Sequence, residues 1–327
     1  MYTKKAIPFL LLRILETYSD DNHKLTQSDI IDYMKKDYNL EVERKSISAN
    51  LKLLEDLDYD IIRDSKGVSI GDRVFNHTQV RYLIDAVYSS KNITSANAQE
   101  LIKKLSERES IYEKKTYDEI VKTTNEVNRN QNAYIFQIID VINEAKRLKK
   151  RISFNLITYD EYGNKILKQD GYEPHVTPYF LINNFGNYYL LGNYRSKYHP
   201  FNIYKLDRMA NVCVSDWEEK PMKEAGMPDN FKISDYLNEH IYILSDDVID
   251  ADLLLKSSEE IINVKEWFPT SKIKNIDGKI HAYIRCDEQA LLYWVMQYGI
   301  GVVVLSPESL KKKVIDYIDE MKKNYEE

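Results

Sequence analysis

The 327-residue chain is poor in glycine and cysteine. It contains only 10 glycines and 2 cysteines, although it contains 26 tyrosines. Neither GxGxxG nor GxxxxGK[ST] occurs, so the glycine-rich loops that hold nucleotide phosphates are not expected. The two cysteines, Cys213 and Cys286, are far apart in sequence, which argues against a disulfide framework and a structural zinc site. No cofactor and no metal are expected.

Long apolar runs are also lacking. The longest, IPFLLL near the start and IGVVVL near Leu305, fall short of the roughly 18–20 residues that span a bilayer. The opening MYTKKAIPFLLL continues as a charged amphipathic pattern without a small-residue cleavage site, which does not fit a signal peptide. These features favour a cytoplasmic protein without a membrane partner. The net charge is −6, so a nucleic acid would have to bind a local basic patch.

Apolar residues at helical spacing predict three helices near the start of the chain. The first begins at Ile7, the second follows Thr26 as its cap and runs to about Asp37, and the third lies within 42–57. The segment DIIRDSKGVSI then predicts two short strands joined by a turn at 64–67. Three helices followed by a hairpin are the order of a winged helix-turn-helix, in which one helix enters the major groove of DNA.

The third helix and the hairpin supply the candidate DNA contacts. Their basic and hydroxyl side chains are Arg44, Lys45, Ser46, Ser48, Lys52, Arg63 and Lys66. The helix residues would read base edges, and the hairpin cations would contact phosphates. The alternative is an ordinary solvated helix face, because residues 1–70 hold 11 basic and 13 acidic residues.

A catalytic interpretation of the hairpin is also open. Residues 67–71, GVSIG, fit G-x-S-x-G, the nucleophile elbow of α/β-hydrolases. That elbow needs a helix directly after the serine, and the following GDRVFN has no helix-start signal. A wing strand is the favoured interpretation, and no enzymatic activity is expected.

The segment VERKSISANLKLLEDL resembles the recognition segment of DeoR-type helix-turn-helix proteins, V-S-x-R-T-I-x-R-D-L. The residues that fit or conservatively replace the pattern are Val42, Lys45, Ser46, Ile47, Asn50 and Leu51. Glu43 stands where a small capping residue is usual, and Ala49 replaces an arginine. The resemblance implies a DNA-binding domain at 1–72 that reads an operator of its own.

The middle of the chain is helical and strongly charged. Val80, Ile84 and Val87 belong to an apolar stripe in the helical stretch from Thr78 onward, and a further helix is predicted from Ile135 to about Leu148. Residues 73–148 are therefore interpreted as a connector or dimerisation element. From Arg151 the pattern alternates, and several short antiparallel strands predict a small barrel at 149–220.

The segment PHVTPYFLINNFGNYYLLG resembles the core of a WYL domain. Pro178 precedes the Tyr188-Tyr189-Leu190 triplet by ten residues, and residues 204–208, YKLDR, match the F-R-L-D-R of that family. The resemblance implies an Sm/SH3-like barrel that senses a ligand in a bacterial transcription regulator. In some members of the family the ligand is a nucleic acid.

By this resemblance the ligand-binding residues are His175, Tyr189, Lys205 and Arg208. Cationic donors interleaved with aromatic rings suit an anionic ligand, such as a nucleotide or a single-stranded nucleic acid. Three structural alternatives stay open. His175 can be a hydrogen-bonded structural histidine, Tyr189 can be a core residue, and Arg208 can form a salt bridge with Asp207 or another carboxylate.

The C-terminal segment 238–327 has the pattern strand, helix, strand, strand, helix, strand, helix, which predicts a ferredoxin-like α/β module. Its last helix is expected to open with Ser306 as cap and Pro307 at the first position. Between this module and the barrel, a charged linker bears Pro221 and Pro228. The stretch ALLYWVMQYGIGVVVLSPESLKKKV resembles the WCX-type extension that follows WYL domains, which implies a role in dimerisation.

Together these features predict a multi-domain α+β protein with a winged helix-turn-helix, a helical connector, a WYL barrel and a WCX-like extension. The predicted function is a homodimeric, ligand-responsive bacterial transcription regulator that binds an inverted-repeat operator in double-stranded DNA. Control of phage defence is a role of some relatives. The alternative is a nucleic-acid- or ligand-binding adaptor that binds no operator.

Overall fold

The computed structural model describes residues 4–71, 73–124, 134–194, 201–244 and 246–326. The chain forms two compact units, Met1–Ile135 and Phe136–Glu327. Both units combine helices with antiparallel strands, so the predicted mixed α/β, multi-domain architecture is confirmed. In the predicted connector, 73–148, the helices before Ile135 belong to the first unit, and the helix that begins at Ile135 lies almost entirely in the second. None of the helices within the described ranges is long and apolar enough to cross a membrane.

The first unit begins with three helices and a hairpin in the predicted order. They are α1 (Ile7–Tyr18), α2 (Gln27–Tyr38), α3 (Arg44–Asp56), β1 (Ile61–Asp64) and β2 (Gly67–Ile70). The hydroxyl of Thr26 accepts a hydrogen bond from the backbone N–H of Asp29, and the Asp29 carboxylate accepts one in return, so the predicted capping box starts α2. This cap fixes where α2 begins.

The three helices enclose one apolar core. On α3 the inward residues Ile47, Leu51 and Leu54 follow the i, i+4, i+7 spacing and are buried against α1 and α2. Burial of such a side chain contributes about 1.5–3 kcal/mol. The same spacing leaves the opposite face of α3 in solvent.

The hairpin is fixed to the helices through Leu25. Its backbone N–H donates to the Val68 carbonyl at 2.8 Å, and the Val68 N–H donates back at 2.9 Å. Gly67 makes this approach feasible, because its φ is +146° and an added Cβ would lie 2.5 Å from the Leu25 carbonyl oxygen. Ser69 is fully buried in β2, where its hydroxyl accepts a hydrogen bond from Lys24 Nζ at 2.7 Å. The next helix begins only at His77, so the G-x-S-x-G segment does not have the strand-serine-helix geometry of a nucleophile elbow.

Four further α-helices follow in the part of the first unit that the structure describes. They are α4 (His77–Ser89), α5 (Ser95–Ser106), α6 (Ile111–Lys114) and α7 (Asp118–Thr123). Their core contains Val80, Ile84, Ile102 and Tyr117. The Arg73 guanidinium joins this bundle to α1, because it donates to the carbonyl oxygens of Arg108 at 3.0 Å and Ser19 at 2.6 Å.

The second unit opens with α8 (Ile135–Leu148), which has the predicted bounds, and continues with a curled antiparallel sheet. The strands are β3 (Lys150–Tyr159), β4 (Lys165–Leu167), β5 (His175–Asn184), β6 (Asn187–Asn193), β7 (Asn202–Lys205) and β8 (Met209–Glu218). Their order is β4-β3-β5-β6-β7, and β8 also pairs with β3. Lys146 of α8 donates to the Tyr179 carbonyl at 2.9 Å, which fixes the helix against the sheet.

The segment expected to be a linker covers one face of this sheet. Ala225 and Met227 of this segment, together with Ile243 beyond it, are buried against the sheet residues Tyr179 and Leu191. Within this segment lies α9 (Ile233–Glu239). The linker residues therefore form part of a hydrophobic core.

The C-terminal part has the predicted order of elements. They are β9 (Val248–Leu255), α10 (Glu260–Trp267), β10 (Lys272–Ile276), β11 (Lys279–Asp287), α11 (Glu288–Tyr298), β12 (Val302–Ser306) and α12 (Glu308–Glu326). The sheet order is β10-β11-β9-β12. The buried residues of β9 and β11 face a core shared with α10 and α11, in which Trp294 is fully buried. The predicted cap at Ser306 is wrong, because Ser306 pairs with Asp252 as the last residue of β12 and α12 begins at Glu308.

Candidate nucleic-acid interface

The exposed side of α3 carries four of the seven predicted DNA contacts. Arg44, Lys45, Ser48 and Lys52 are all exposed, and we call this surface the α3 face. It exists because Ile47 and the other apolar residues of α3 occupy the opposite side of the helix. A helix whose inner side is anchored in this way presents a rigid outer surface.

The first turn of α3 is electrostatically unusual. It contains Arg44 and Lys45 but no acidic residue, and the side chain of the N-cap residue Glu43 makes no capping hydrogen bond. The helix dipole disfavours cations at an N-terminus, and the backbone N–H groups of the first turn need acceptors. Two cations and uncapped N–H groups at one helix end together favour an anionic partner.

The remaining predicted contacts differ in position. Lys66 is exposed at the tip of the hairpin. Arg63 is bound to α3 instead, because its Nε donates to Glu55 Oε1 at 2.7 Å, and this hydrogen bond lowers the pKa of the Glu55 carboxyl. Ser46 is half-buried, and its carbonyl oxygen accepts a hydrogen bond from the Asn50 side chain at 2.7 Å. The structure therefore exposes six of the seven residues, although one of these six, Arg63, is already paired with Glu55, and it leaves Ser46 half-buried.

Sequence reasoning missed Gln27 as part of this surface. It is the first residue of α2, and its Nε2 donates to Ser48 Oγ at 2.8 Å. The hydrogen bond ties the start of α2 to the α3 face. The available signal was its position directly after the capping residue Thr26, which places it at the start of α2.

The predicted ligand site of the curled sheet brings three of its four residues together. Tyr189 of β6 lies directly opposite Lys205 of β7, and Arg208 follows in the turn before β8. Lys205 Nζ forms an ion pair with Asp207 Oδ2 at 3.1 Å. We call Tyr189, Lys205, Asp207 and Arg208 the Tyr189 cluster.

The Tyr189 cluster is partly a packing site. The Tyr189 ring packs against the hydrophobic core that the linker segment forms on the sheet. Burial raises the pKa of its hydroxyl, Asp207 raises it further, and the Arg208 guanidinium lowers it. Arg208 is exposed, and the ion pair with Asp207 that sequence reasoning considered for it is made by Lys205.

His175 lies in a different environment. Its ring stacks on Trp217 with centroids 4.5 Å apart and planes 9° apart, and its Nδ1 lies 3.0 Å from Ser215 Oγ. The Arg151 guanidinium lies 5.5 Å from the centre of the Trp217 ring. These contacts agree with the structural interpretation of this histidine. Sequence reasoning missed Trp217 and Arg151, because only the pairing of β3 with β8 brings them together.

In the described ranges, no group of three or more His, Cys, Asp or Glu side chains is arranged to hold a metal ion. Both cysteines are free thiols, Cys213 exposed and Cys286 buried. Burial raises the pKa of the Cys286 thiol to about 12, so this thiol stays protonated and unreactive near neutral pH.

One family model matches the C-terminal part, and solved structures align with nearly the whole chain. Residues 247–322 match the WCX domain. No curated protein matches the chain. Among solved structures, proteasome accessory factor B/C (PafBC) of Arthrobacter aurescens aligns with 97% of this chain at 16% identity and a TM-score of 0.31. A CRISPR Cas-related protein aligns with 99% of this chain and 92% of its own at 14% identity and a TM-score of 0.39. The chain spans only 48% of the length of the PafBC structure.

Proposed function

We propose that this protein is a DNA-binding transcription regulator of the WYL type. In this proposal, residues 1–72 form a DeoR-like winged helix-turn-helix, the curled sheet is the WYL domain and the C-terminal part is the WCX domain. WCX domains occur in WYL-type regulators, so the match of residues 247–322 supports this assignment. Two copies of the chain would bind the two halves of an inverted-repeat operator.

The observation on which the proposal rests is the α3 face. Arg44 and Lys45 occupy the first turn of α3, where the helix dipole disfavours cations, and Lys52 lies two turns further along the same exposed side. An isolated helix would be more stable with acids in its first turn. A DNA phosphate at this end would add negative charge beside the two cations and accept hydrogen bonds from the N–H groups that Glu43 does not cap.

The test is operator binding by the full chain. Reversal of both charges, Lys45→Glu with Lys52→Glu, should weaken binding to the upstream region of its own gene by at least about tenfold. Loss of phosphate contacts should also reduce the slope of log affinity against log salt by about 1 per contact. Electrophoretic shift and fluorescence anisotropy at several salt concentrations measure both quantities.

A matched control separates the α3 face from net charge. Lys91 and Lys115 are exposed in the same unit but lie outside the three-helix and hairpin region, and Lys91→Glu with Lys115→Glu gives the same change in charge. The control should retain affinity within about threefold. Equal binding by the α3 variant and the wild type, at equal thermal stability, contradicts the proposal.

A second function, an adaptor that binds no operator, is favoured by one set of observations. Residues 1–70 hold more acidic than basic residues, and the wing cation Arg63 is already paired with Glu55. An adaptor would show no sequence preference among DNA duplexes. Competition by unrelated duplex DNA as effective as that by the upstream region would therefore favour the adaptor over the regulator.

A further inference from the structure

Four polar side chains of different types form one row across the C-terminal sheet. The strand register pairs Lys272 with Tyr283, Tyr283 with Asp252, and Asp252 with Ser306. The row therefore crosses all four strands in the order β10-β11-β9-β12. Side chains alternate along a strand, so Lys272, Tyr283 and Asp252 lie on the face opposite core residues such as Ala282. A register shift after Val304 brings Ser306 opposite Asp252.

This face is open. α10 and α11 contribute their buried residues to the core on the other side of the sheet. A groove of about 510 Å³ is lined by all four residues of the row, and also by Ala251, Phe268 and Ile284 of the core. Ser271 also lines the groove; it is 8% exposed, and its hydroxyl has no hydrogen-bond partner among the described residues. A buried hydroxyl without a partner is uncommon unless a ligand or water serves it.

The next positions on the same strands add cations and a second ring. His281 precedes Tyr283 by two residues on β11, and their rings are 18° from parallel with centroids 6.3 Å apart. Lys274 Nζ lies 5.2 Å from the centre of the Tyr283 ring. Lys272 and Lys274 are both exposed on the edge strand β10. The face thus has aromatic rings at its centre and lysines along one edge.

The carboxylates of the face already have partners. Asp252 lies 3.1 Å from His281 Nδ1, and Asp250 shares the Arg285 guanidinium with Glu239, at 3.1 and 2.7 Å. Lys272 and Lys274 form no ion pair with a described residue, so unpaired positive charge lies along the β10 edge. Hydrogen-bonded side chains at the centre and positive charge at one edge suit a ligand with a flat polar ring and a chain of anionic groups.

We propose that this row binds single-stranded nucleic acid, with one base stacked on Tyr283. The lysines of β10 contact successive phosphates, while Asp252 and Ser306 hydrogen-bond to the base edge or the sugar. The same physical arrangement, aromatic side chains at alternate positions of the third strand in a β-α-β-β-α-β sheet, stacks bases in RNA-recognition modules. The site is separate from the α3 face and the Tyr189 cluster, so it extends the proposed function and can fail independently of it.

The first test uses the full chain and fluorescein-labelled 10-mers of adenylate, as DNA and as RNA, in fluorescence anisotropy at low salt. Lys272→Glu with Lys274→Glu should weaken binding at least about tenfold. The control Lys322→Glu with Lys323→Glu, on exposed positions of α12, carries the same charge change and should retain affinity within about threefold. A preference for one oligomer over the other identifies the sugar that the site prefers.

The second test isolates stacking. Tyr283→Phe keeps the ring and should bind like the wild type, whereas Tyr283→Leu should bind from about fivefold to about a hundredfold more weakly. An oligomer with 5-iodouracil should cross-link to the peptide that contains Tyr283 on irradiation. The thermal melting of each variant shows whether the fold is kept, and the Tyr283→Phe and lysine variants test the site even if Tyr283→Leu unfolds.

Three results would overturn the site. They are no binding of either oligomer by the wild type, equal losses in the β10 and α12 charge variants, and a cross-link outside the C-terminal sheet. The Lys45→Glu and Lys52→Glu variant should bind single strands normally, because its changes lie on α3. Loss of duplex binding with retained single-strand binding in that variant therefore separates this site from the proposed operator function.

Discussion

Glu109 is a buried carboxylate of the first unit with an incomplete set of hydrogen-bond partners. The side chain is only 3% exposed, and its Oε1 has no hydrogen-bond partner in the described ranges. Its Oε2 lies 3.8 Å from His77 Nδ1, and Glu113 approaches the same histidine nitrogen at 3.3 Å. Burial therefore raises the pKa of the Glu109 carboxyl, although His77 and Arg73 oppose the shift.

The sign of this shift predicts a pH dependence of stability. The folded-state pKa of Glu109 lies above its unfolded value, so its favourable contribution is complete below the unfolded pKa and is lost as pH rises through the folded pKa. Glu109→Gln should therefore raise Tm at pH 7.5 by a few degrees, which corresponds to about 1 kcal/mol in the free energy of unfolding. The increase should be smaller near pH 4. Calorimetric melts across this pH range, with Glu107→Gln as the exposed control, measure the difference. A gain that is equal at both pH values would contradict the assignment.

Gly67 offers a second test at the residue scale. Its φ is +146°, and a Cβ there would lie 2.5 Å from the Leu25 carbonyl oxygen, whereas Gly163 has a φ of +80° with open space around it. Gly163→Ala should cost only the backbone strain of about 1 kcal/mol. Gly67→Ala adds a backbone clash and should cost at least about 2 kcal/mol more. Urea denaturation of both variants gives the comparison, and equal losses would mean that the hairpin adjusts without cost.

At the scale of elements, local patterns predicted most of the helices and strands. The helix predicted from Ile135 to about Leu148 has those bounds, and the Thr26 capping box is present. Both depend on residues close in sequence. The cover that the linker segment forms on the curled sheet was not predicted, because its charged sequence conceals a few buried side chains such as Met227. Ser306 was misassigned as a cap, because its pairing with Asp252 is a long-range contact.

The start of α11 depends on one buried carboxylate. Asp287 accepts hydrogen bonds from the backbone N–H groups of Ala290 and Asp246, both at 2.8 Å, and lies 3.2 Å from His240 Nδ1. Burial opposes its ionisation, but these hydrogen bonds outweigh burial and lower the pKa of the Asp287 carboxyl. The folded-state pKa is therefore below the unfolded value. Its stabilisation is present above the unfolded pKa and is lost as pH falls through the folded pKa.

Removal of this cap should destabilise the second unit. We expect Asp287→Ala to lower the free energy of unfolding by at least about 2 kcal/mol, because it removes a helix cap and leaves buried donors unpaired. The loss should be largest near neutral pH and smaller in acid, where the wild-type carboxyl is also protonated. Urea titrations at pH 7 and pH 3 measure this, and Asp319→Ala on the exposed part of α12 is the control. A loss that grows in acid would contradict the assigned role.

At the scale of the whole molecule, the candidate sites were only partly predictable. The α3 face follows from helical spacing, so Lys45 and Lys52 could be placed from sequence alone. The pairing of Arg63 with Glu55 and the packing of Tyr189 against the linker segment depend on contacts between distant residues. Spacing can show which face a side chain occupies, but it cannot show which partner already holds it.

The proposed operator binding requires two copies of the chain. A single helix in the major groove contacts only a few base pairs, so useful specificity needs a second half-site and a two-fold symmetric protein. We expect a dimer at micromolar concentration, and sedimentation velocity with and without operator DNA measures it. A monomer under both conditions would contradict the homodimer.

The proposed sensing function should separate from operator binding. A ligand shifts a regulator only if it binds the DNA-competent and DNA-incompetent states with different affinity. Lys205 and Arg208 belong to the second unit, whereas the α3 face belongs to the first. Lys205→Ala with Arg208→Ala should therefore leave operator affinity within about threefold of wild type while the response of the target promoter to its signal is lost. Promoter activity in cells, at matched protein levels and with the Lys322→Ala and Lys323→Ala variant as control, measures the response. If the Lys205 and Arg208 variant still switches the promoter like the wild type, the Tyr189 cluster is a packing site, and sensing must occur elsewhere in the molecule.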